Sequence, residues 1–116
     1  MSETLEDRWS VDVEESFDVD SLKYEKKFII KIKNHSPYVR RFEVGTKYAY
    51  FKDQATSLRF RLYYNLITPV LISIDKYRKE NIEVLIPKAN YSVGDYILIY
   101  VKNLDKKEEM DVKLYV

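Results

Sequence analysis

IEVLIPKANYSVGDYILIYVKN, residues 82–103, is the stretch on which the reading of the fold turns. Ile82, Val84 and Ile86 alternate with Glu83 and Leu85, the period of a strand with one buried face. Pro87 to Asp95 carries turn chemistry and Gly94, one of only two glycines in the chain. YILIYV, residues 96–101, is apolar on both faces, so it belongs in the middle of a sheet with material on each side. On that reading Ile97 and Ile99 lie on an outward parity and meet a second layer.

Working outward, the same alternation recurs along the chain. Trp9, Val11 and Val13 face one way in a first strand, and Phe17 and Val19 keep that parity past an irregular middle at residues 14–16. In KFIIKIKN, residues 27–34, Phe28, Ile30 and Ile32 point inward while Lys27, Lys31 and Lys33 keep the other face wet. Asn34-His35-Ser36-Pro37 is a turn. Tyr38 to Val44 reads as a third strand that Gly45-Thr46 breaks, with KYAYF, residues 47–51, as a short fourth. LRFRLYYNL, residues 58–66, alternates as a strand, because a helix would scatter its apolar side chains around the axis. VLISI, residues 70–74, starts after Pro69, which a first strand position tolerates. After the hairpin residues NLDKKEE, MDVKLYV places Met110, Val112, Leu114 and Val116 inward. Eight or nine short strands with turn signals between them and no convincing helix predict an all-β, two-sheet antiparallel sandwich, immunoglobulin-like or jelly-roll. Residues 1–8 read as a flexible acidic arm and residues 9–116 as one domain.

The Ile82 to Val116 region resembles the closing strands of immunoglobulin-like domains. Ile82, Val84 and Ile86 match strand E, Gly94-Asp95-Tyr96 the E–F corner, and Met110 to Val116 strand G. The resemblance implies that Tyr96 pins the corner, its hydroxyl satisfying a backbone group while its ring fills core. Leu98 falls two residues on, where antibody-type domains carry their second disulfide cysteine; this chain has no cysteine, and its one tryptophan is in the first strand.

Composition narrows function by exclusion. Without cysteine there is no disulfide framework or thiolate metal site. A formal charge of +1 gives no overall pull toward nucleic acid or acidic lipid, although charged residues of both signs make up 34% of the chain. No apolar run is long enough to span a membrane as a helix, and the acidic start does not read as a signal peptide, so a soluble and cytoplasmic protein is expected. Eleven tyrosines, interspersed charge and the absence of cysteine lean toward a hyperthermophile, a character that suits a small protein of an archaeal virus or mobile element.

Catalytic residue types are sparse. The sole histidine, His35, sits in a turn and reads as a solvated surface residue. The carboxylates of Asp12, Glu14, Glu15, Asp18 and Asp20 read as a solvated strand face, without the spacing of a calcium loop. Two glycines cannot build a phosphate-cradling loop. Asn34-His35-Ser36 and Asn90-Tyr91-Ser92 match the glycosylation pattern and are given no role. No enzyme activity, cofactor or metal is expected.

Two groupings point to binding. Arg40, Arg41, Arg59, Arg61 and Tyr63 lie in two strand-like segments and could present cations and an aromatic ring to phosphates and bases, or simply guard a sheet edge. Tyr38, Tyr48, Tyr50 and Phe51 could form an aromatic protein-contact patch, or fill core and rim. Ile29, Tyr63 and Tyr115, apolar on outward parities, are further candidates for a subunit contact. A protein-binding or self-associating module is therefore the leading expectation and a nucleic-acid-binding module the alternative, with no membrane role.

Overall fold

The structure, a computed structural model, describes residues 6–52 and 69–116. Within them the chain forms seven strands and no helix: β1 (Trp9–Ser16), β2 (Tyr24–Asn34), β3 (Arg40–Tyr50), β4 (Val70–Ile74), β5 (Lys79–Pro87), β6 (Tyr96–Asn103) and β7 (Glu108–Tyr115). They pair antiparallel into a three-stranded sheet, β1-β2-β5, and a four-stranded sheet, β4-β3-β6-β7, packed as a sandwich. The strand expected over residues 58–66 lies outside the described residues.

The alternating residues supply the core. Phe28, Ile30 and Ile32 of β2 and Val84 and Ile86 of β5 meet Phe42 and Val44 of β3, Ile74 of β4, Ile97, Ile99 and Val101 of β6, and Leu114 of β7. Each such aliphatic side chain contributes roughly 1.5–3 kcal/mol when fully withdrawn from water. Trp9 of β1 crosses to Phe42 of β3 with ring centroids 5.5 Å apart, and its indole N–H donates to the Glu108 carboxylate of β7 at 2.8 Å. One side chain thus ties both sheets. On the outer face of the three-stranded sheet the expected lysines pair with carboxylates: Lys27 with Glu83 at 3.2 Å and Lys31 with Glu14 at 2.7 Å.

Four details differ from the reading of the sequence. Gly45-Thr46 does not end a strand: β3 runs through both, with a bulge between Thr46 and Tyr48 that re-phases the side chains beyond it. β1 pairs regularly through Ser16, while Phe17 lies outside the core, 70% exposed. The parity of β6 is the reverse of that expected, with Ile97, Ile99 and Val101 in the core and Tyr96, Leu98 and Tyr100 on the outer face of the four-stranded sheet. Both faces of β6 are apolar in sequence, so its own pattern cannot choose; partnership with β3 and β7 does, because over residues 41–44 and 109–114 those strands alternate charged and apolar side chains.

Tyr96 consequently does not pin the turn between β5 and β6. That work falls to Asp95 and Tyr91. The buried Asp95 carboxylate accepts from the backbone N–H of Lys52 at 3.1 Å and of Ser92 at 2.8 Å, and its carbonyl accepts from Val116 N–H at 3.0 Å. The end of β3, the turn and the end of β7 are thereby joined at one residue. Gly94 takes φ = 95°, open to glycine at no steric cost, and the Tyr91 hydroxyl donates to the Pro87 carbonyl at 2.5 Å.

Candidate functional site

The bulge in β3 brings Tyr48 and Tyr50 onto the outer face of the four-stranded sheet. Tyr50 lies directly opposite Tyr96, and Tyr96 directly opposite Tyr115, so three rings form a row across β3, β6 and β7. Tyr50 and Tyr96 stack with centroids 5.6 Å apart and 23° between planes. Tyr48 and Tyr115 meet the edge of Tyr96 at 6.2 and 5.9 Å. The Lys113 ammonium stands 4.3 Å from the centroid of the Tyr96 ring, and Leu98 adjoins the row opposite Tyr48. Tyr96 is half-buried by its neighbours, whereas Tyr48, Tyr50 and Tyr115 are each more than half exposed. The Tyr48 hydroxyl, followed by desolvation, pushes the Tyr96 phenol above its ordinary pKa. Raised in this way, the Tyr96 phenol stays neutral over the physiological range.

Such a cluster presents rigid apolar area rimmed by hydroxyls, and aromatic side chains of this kind carry much of the affinity at protein interfaces. Further along the same face the chemistry becomes ionic. Lys47, at the bulge, lies between the carboxylates of Glu109 and Asp111, 3.0 Å from each. Tyr100 donates to Glu43 at 2.6 Å.

The residues singled out in sequence divide. Tyr48 and Tyr50 come together in the cluster. Phe51 turns into the core, against Tyr91, and is unavailable for contact. Tyr38 lies beyond the opposite end of β3, where the Arg40 guanidinium sits 4.8 Å from its ring centroid. Tyr96 and Tyr115 complete the cluster. Tyr115 was expected on an outward parity as a candidate for a subunit contact, whereas Tyr96 was hidden by the parity assigned to β6.

Arg40 and Arg41 are neighbours in sequence and point to opposite faces of β3. Arg40 makes a two-point contact with the Asp7 carboxylate, at 3.1 and 2.6 Å, and Lys106 donates to the Asp7 carbonyl. Arg41 makes a second two-point contact, with Asp105 at 3.2 and 2.9 Å. These guanidinium hydrogen bonds hold the Asp7 and Asp105 carboxyls below the usual carboxylate range. Both arginines therefore have carboxylate partners that a phosphate would have to displace, bidentate for Arg40 and onto the single Oδ1 of Asp105 for Arg41. Asp7 and Arg8 are tied to the domain, Arg8 through its carbonyl, which accepts from His35 N–H at 2.9 Å. Arg59, Arg61 and Tyr63 lie outside the described residues.

His35 is half-buried, with Nε2 2.8 Å from the Ser10 hydroxyl, a link that ties the end of β2 to β1. Asn34 of the first glycosylation-like triplet is buried and its amide nitrogen donates to the carbonyls of Tyr38, Ile74 and Asp75, so the folded chain offers no room for a glycan there. Asp20 accepts from Leu22 N–H in a local turn. Among the described residues no group of three or more His, Cys, Asp or Glu side chains is arranged to hold a metal ion, and no helix is long and apolar enough to cross a membrane.

No protein-family model, curated protein or solved structure matches this chain.

Proposed function

We propose that the chain is a non-enzymatic binding or assembly module that engages protein through the outer face of its four-stranded sheet. The observation that carries this reading is the row Tyr50-Tyr96-Tyr115, flanked by Tyr48 and Lys113, whose outer members Tyr50 and Tyr115 are more than half exposed. The rings are held by cross-strand pairing before any partner arrives, so little side-chain freedom is lost on contact. The strand order β1-β2-β5 over β4-β3-β6-β7 supports an immunoglobulin-like framework, with β2, β5, β3, β6 and β7 in the places of strands B, E, C, F and G. The cysteine-free, tyrosine-rich composition supports an origin in a hyperthermophilic archaeal virus or mobile element.

The test is affinity capture from extracts of the source cells with the wild type and with a Tyr50→Ser/Tyr115→Ser variant. Both side chains lie outside the core, so the variant should stay folded, its melting temperature lowered only by the lost ring contacts with Tyr96. A specific partner retained by the wild type and lost by the variant supports the reading; equal retention by both proteins overturns the tyrosine face. The alternative, nucleic-acid binding, uses Arg40, Arg41, Arg59, Arg61 and Tyr63, with Arg40 and Arg41 giving up their carboxylate partners to phosphate. It requires DNA or RNA affinity that falls steeply between low and moderate salt.

A further inference from the structure

We infer that β7 is a self-complementary edge, by which two copies of the chain join their four-stranded sheets into one. The inference deepens the assembly reading by naming a second copy as the occupant, and it rests on the edge of the sheet, not on the tyrosine face.

β7 is the last strand of its sheet and pairs only with β6 among the described residues. It has eight residues, no proline and no break in register. An edge of that length and regularity offers a row of backbone donors and acceptors to another strand. Natural edges are commonly blunted by charge, and β7 is charged, but its charge is distributed unequally along the strand. Toward its start Glu109 and Asp111 share one ammonium, that of Lys47, leaving an excess negative charge. Toward its end Lys113 has no carboxylate partner among the described residues and rests against the Tyr96 and Tyr115 rings.

An antiparallel pair of identical strands is isologous, so the residue on the two-fold axis meets itself. Side chains directly opposite must also share a face, which restricts the centre to a whole residue. Centring on Asp111 sets two carboxylates against each other; centring on Lys113 sets two ammonium groups against each other. Centring on Met110 sets Asp111 against Glu109 of the second copy. Centring on Val112 removes every such clash. Asp111 then lies opposite Lys113 of the other copy, twice over by symmetry, Glu109 opposite Tyr115, Met110 opposite Leu114, and Val112 opposite Val112. Met110, 38% exposed at the rim of the core, gains an apolar neighbour. The axis is perpendicular to the sheet, so both tyrosine clusters fall on the same outer face, giving a two-site platform whose avidity exceeds that of one copy.

The experiment is sedimentation equilibrium across a wide concentration range on the wild type, Asp111→Lys, Lys113→Asp and the double exchange Asp111→Lys/Lys113→Asp, with circular dichroism to establish folding. The expected result is a concentration-dependent dimer for the wild type. Each single exchange places like charges opposite one another and should raise the dimer dissociation constant at least tenfold, and the double exchange should restore it. As a second measurement, Val112→Cys places a thiol on the axis of a chain that has no other cysteine. Mild oxidation should yield a disulfide-linked dimer. A wild type that stays monomeric up to millimolar concentration, single exchanges that dimerise like the wild type, or a double exchange that fails to recover would each overturn the β7 pairing. A monomeric wild type would still leave capture through Tyr50 and Tyr115 as a separate test of the tyrosine face.

Discussion

Tyr100 lies across Gly45: a Cβ built on the glycine would sit 2.7 Å from the ring's Cε1 and hydroxyl oxygen and 2.8 Å from Cζ. The two residues face each other in the β3–β6 ladder, and the ring end laid over Gly45 is held in place by the hydrogen bond from its hydroxyl to Glu43. Gly45 has no left-handed φ, so its requirement is for space and not for backbone freedom.

Gly45→Ala should therefore destabilise the fold by about 1–3 kcal/mol, the usual cost of forcing a packed side chain from its position. Urea denaturation measures it. The diagnostic is a double-mutant cycle with Tyr100→Ala. Once the ring is gone, alanine should be better than glycine in the strand by about 0.5–1 kcal/mol. A cost that persists without the ring would place the clash elsewhere.

The same hydroxyl predicts an alkaline transition. The hydrogen bond to Glu43, reinforced by desolvation and the carboxylate's charge, raises the Tyr100 pKa from 10.0 to about 12. A group whose pKa is raised on folding contributes stability that is fully present below its unfolded pKa and lost as pH climbs through the folded value. The wild type should thus lose stability between about pH 10 and pH 12 in excess of whatever Tyr100→Phe loses over the same window. Thermal melts at intervals across that range, read as a difference between the two proteins, check it. Parallel curves would separate the stability from the Tyr100–Glu43 bond.

How much of this was legible in the sequence depends on which residues carried it. Phe28, Ile30 and Ile32, with charged neighbours, determine their own face, and β2 folds as its alternation dictates. In β6, isoleucines occupy one face and tyrosines and leucine the other, so hydropathy offers no decision. Tyrosine tolerates the outer face because its hydroxyl reaches water, a preference that acts only once neighbouring strands are placed. Gly45 reads as a break because its reason, the Tyr100 ring, is 55 residues away in sequence (100 − 45) and becomes visible only in register. The candidate site was half legible for the same reason. Tyr48 and Tyr50 stand close together in the chain, while Tyr96 and Tyr115 join them through strand pairing alone.

Asn34 supplies a harsher test of a buried polar hub. Its side-chain nitrogen donates to the carbonyls of Tyr38, Ile74 and Asp75 at 2.7, 3.1 and 3.2 Å, and its oxygen accepts from the Ser36 N–H and hydroxyl at 2.9 and 2.7 Å. Asn34→Asp keeps the shape and replaces a donor with a charged acceptor among three carbonyl oxygens. It should cost at least ~3 kcal/mol near neutral pH, as uncompensated buried charge does. The loss should shrink in acid, where the neutral carboxyl regains a proton to donate. Chemical denaturation at the two pH values reads both effects. A loss that grows in acid relative to the wild type would contradict the donor role assigned to the amide.

Thr46 predicts a gain. Beside the β3 bulge, its hydroxyl is buried and has no hydrogen-bond partner. Thr46 lies opposite Ile99, which is fully enclosed in the core, so its neighbourhood is apolar. Burying a hydroxyl without a partner costs roughly 1–3 kcal/mol, and replacing it by a methyl group of nearly the same shape removes that cost without opening a cavity. Valine also retains the β-branched form that suits a strand. Thr46→Val should accordingly raise stability by about 1 kcal/mol, with an unchanged denaturant slope because the surface exposed on unfolding is nearly the same. Thr46→Ser, which keeps the hydroxyl and loses the methyl, should destabilise. If Thr46→Val is the less stable of the two, the hydroxyl has a partner in solution, and the bulge is held by it.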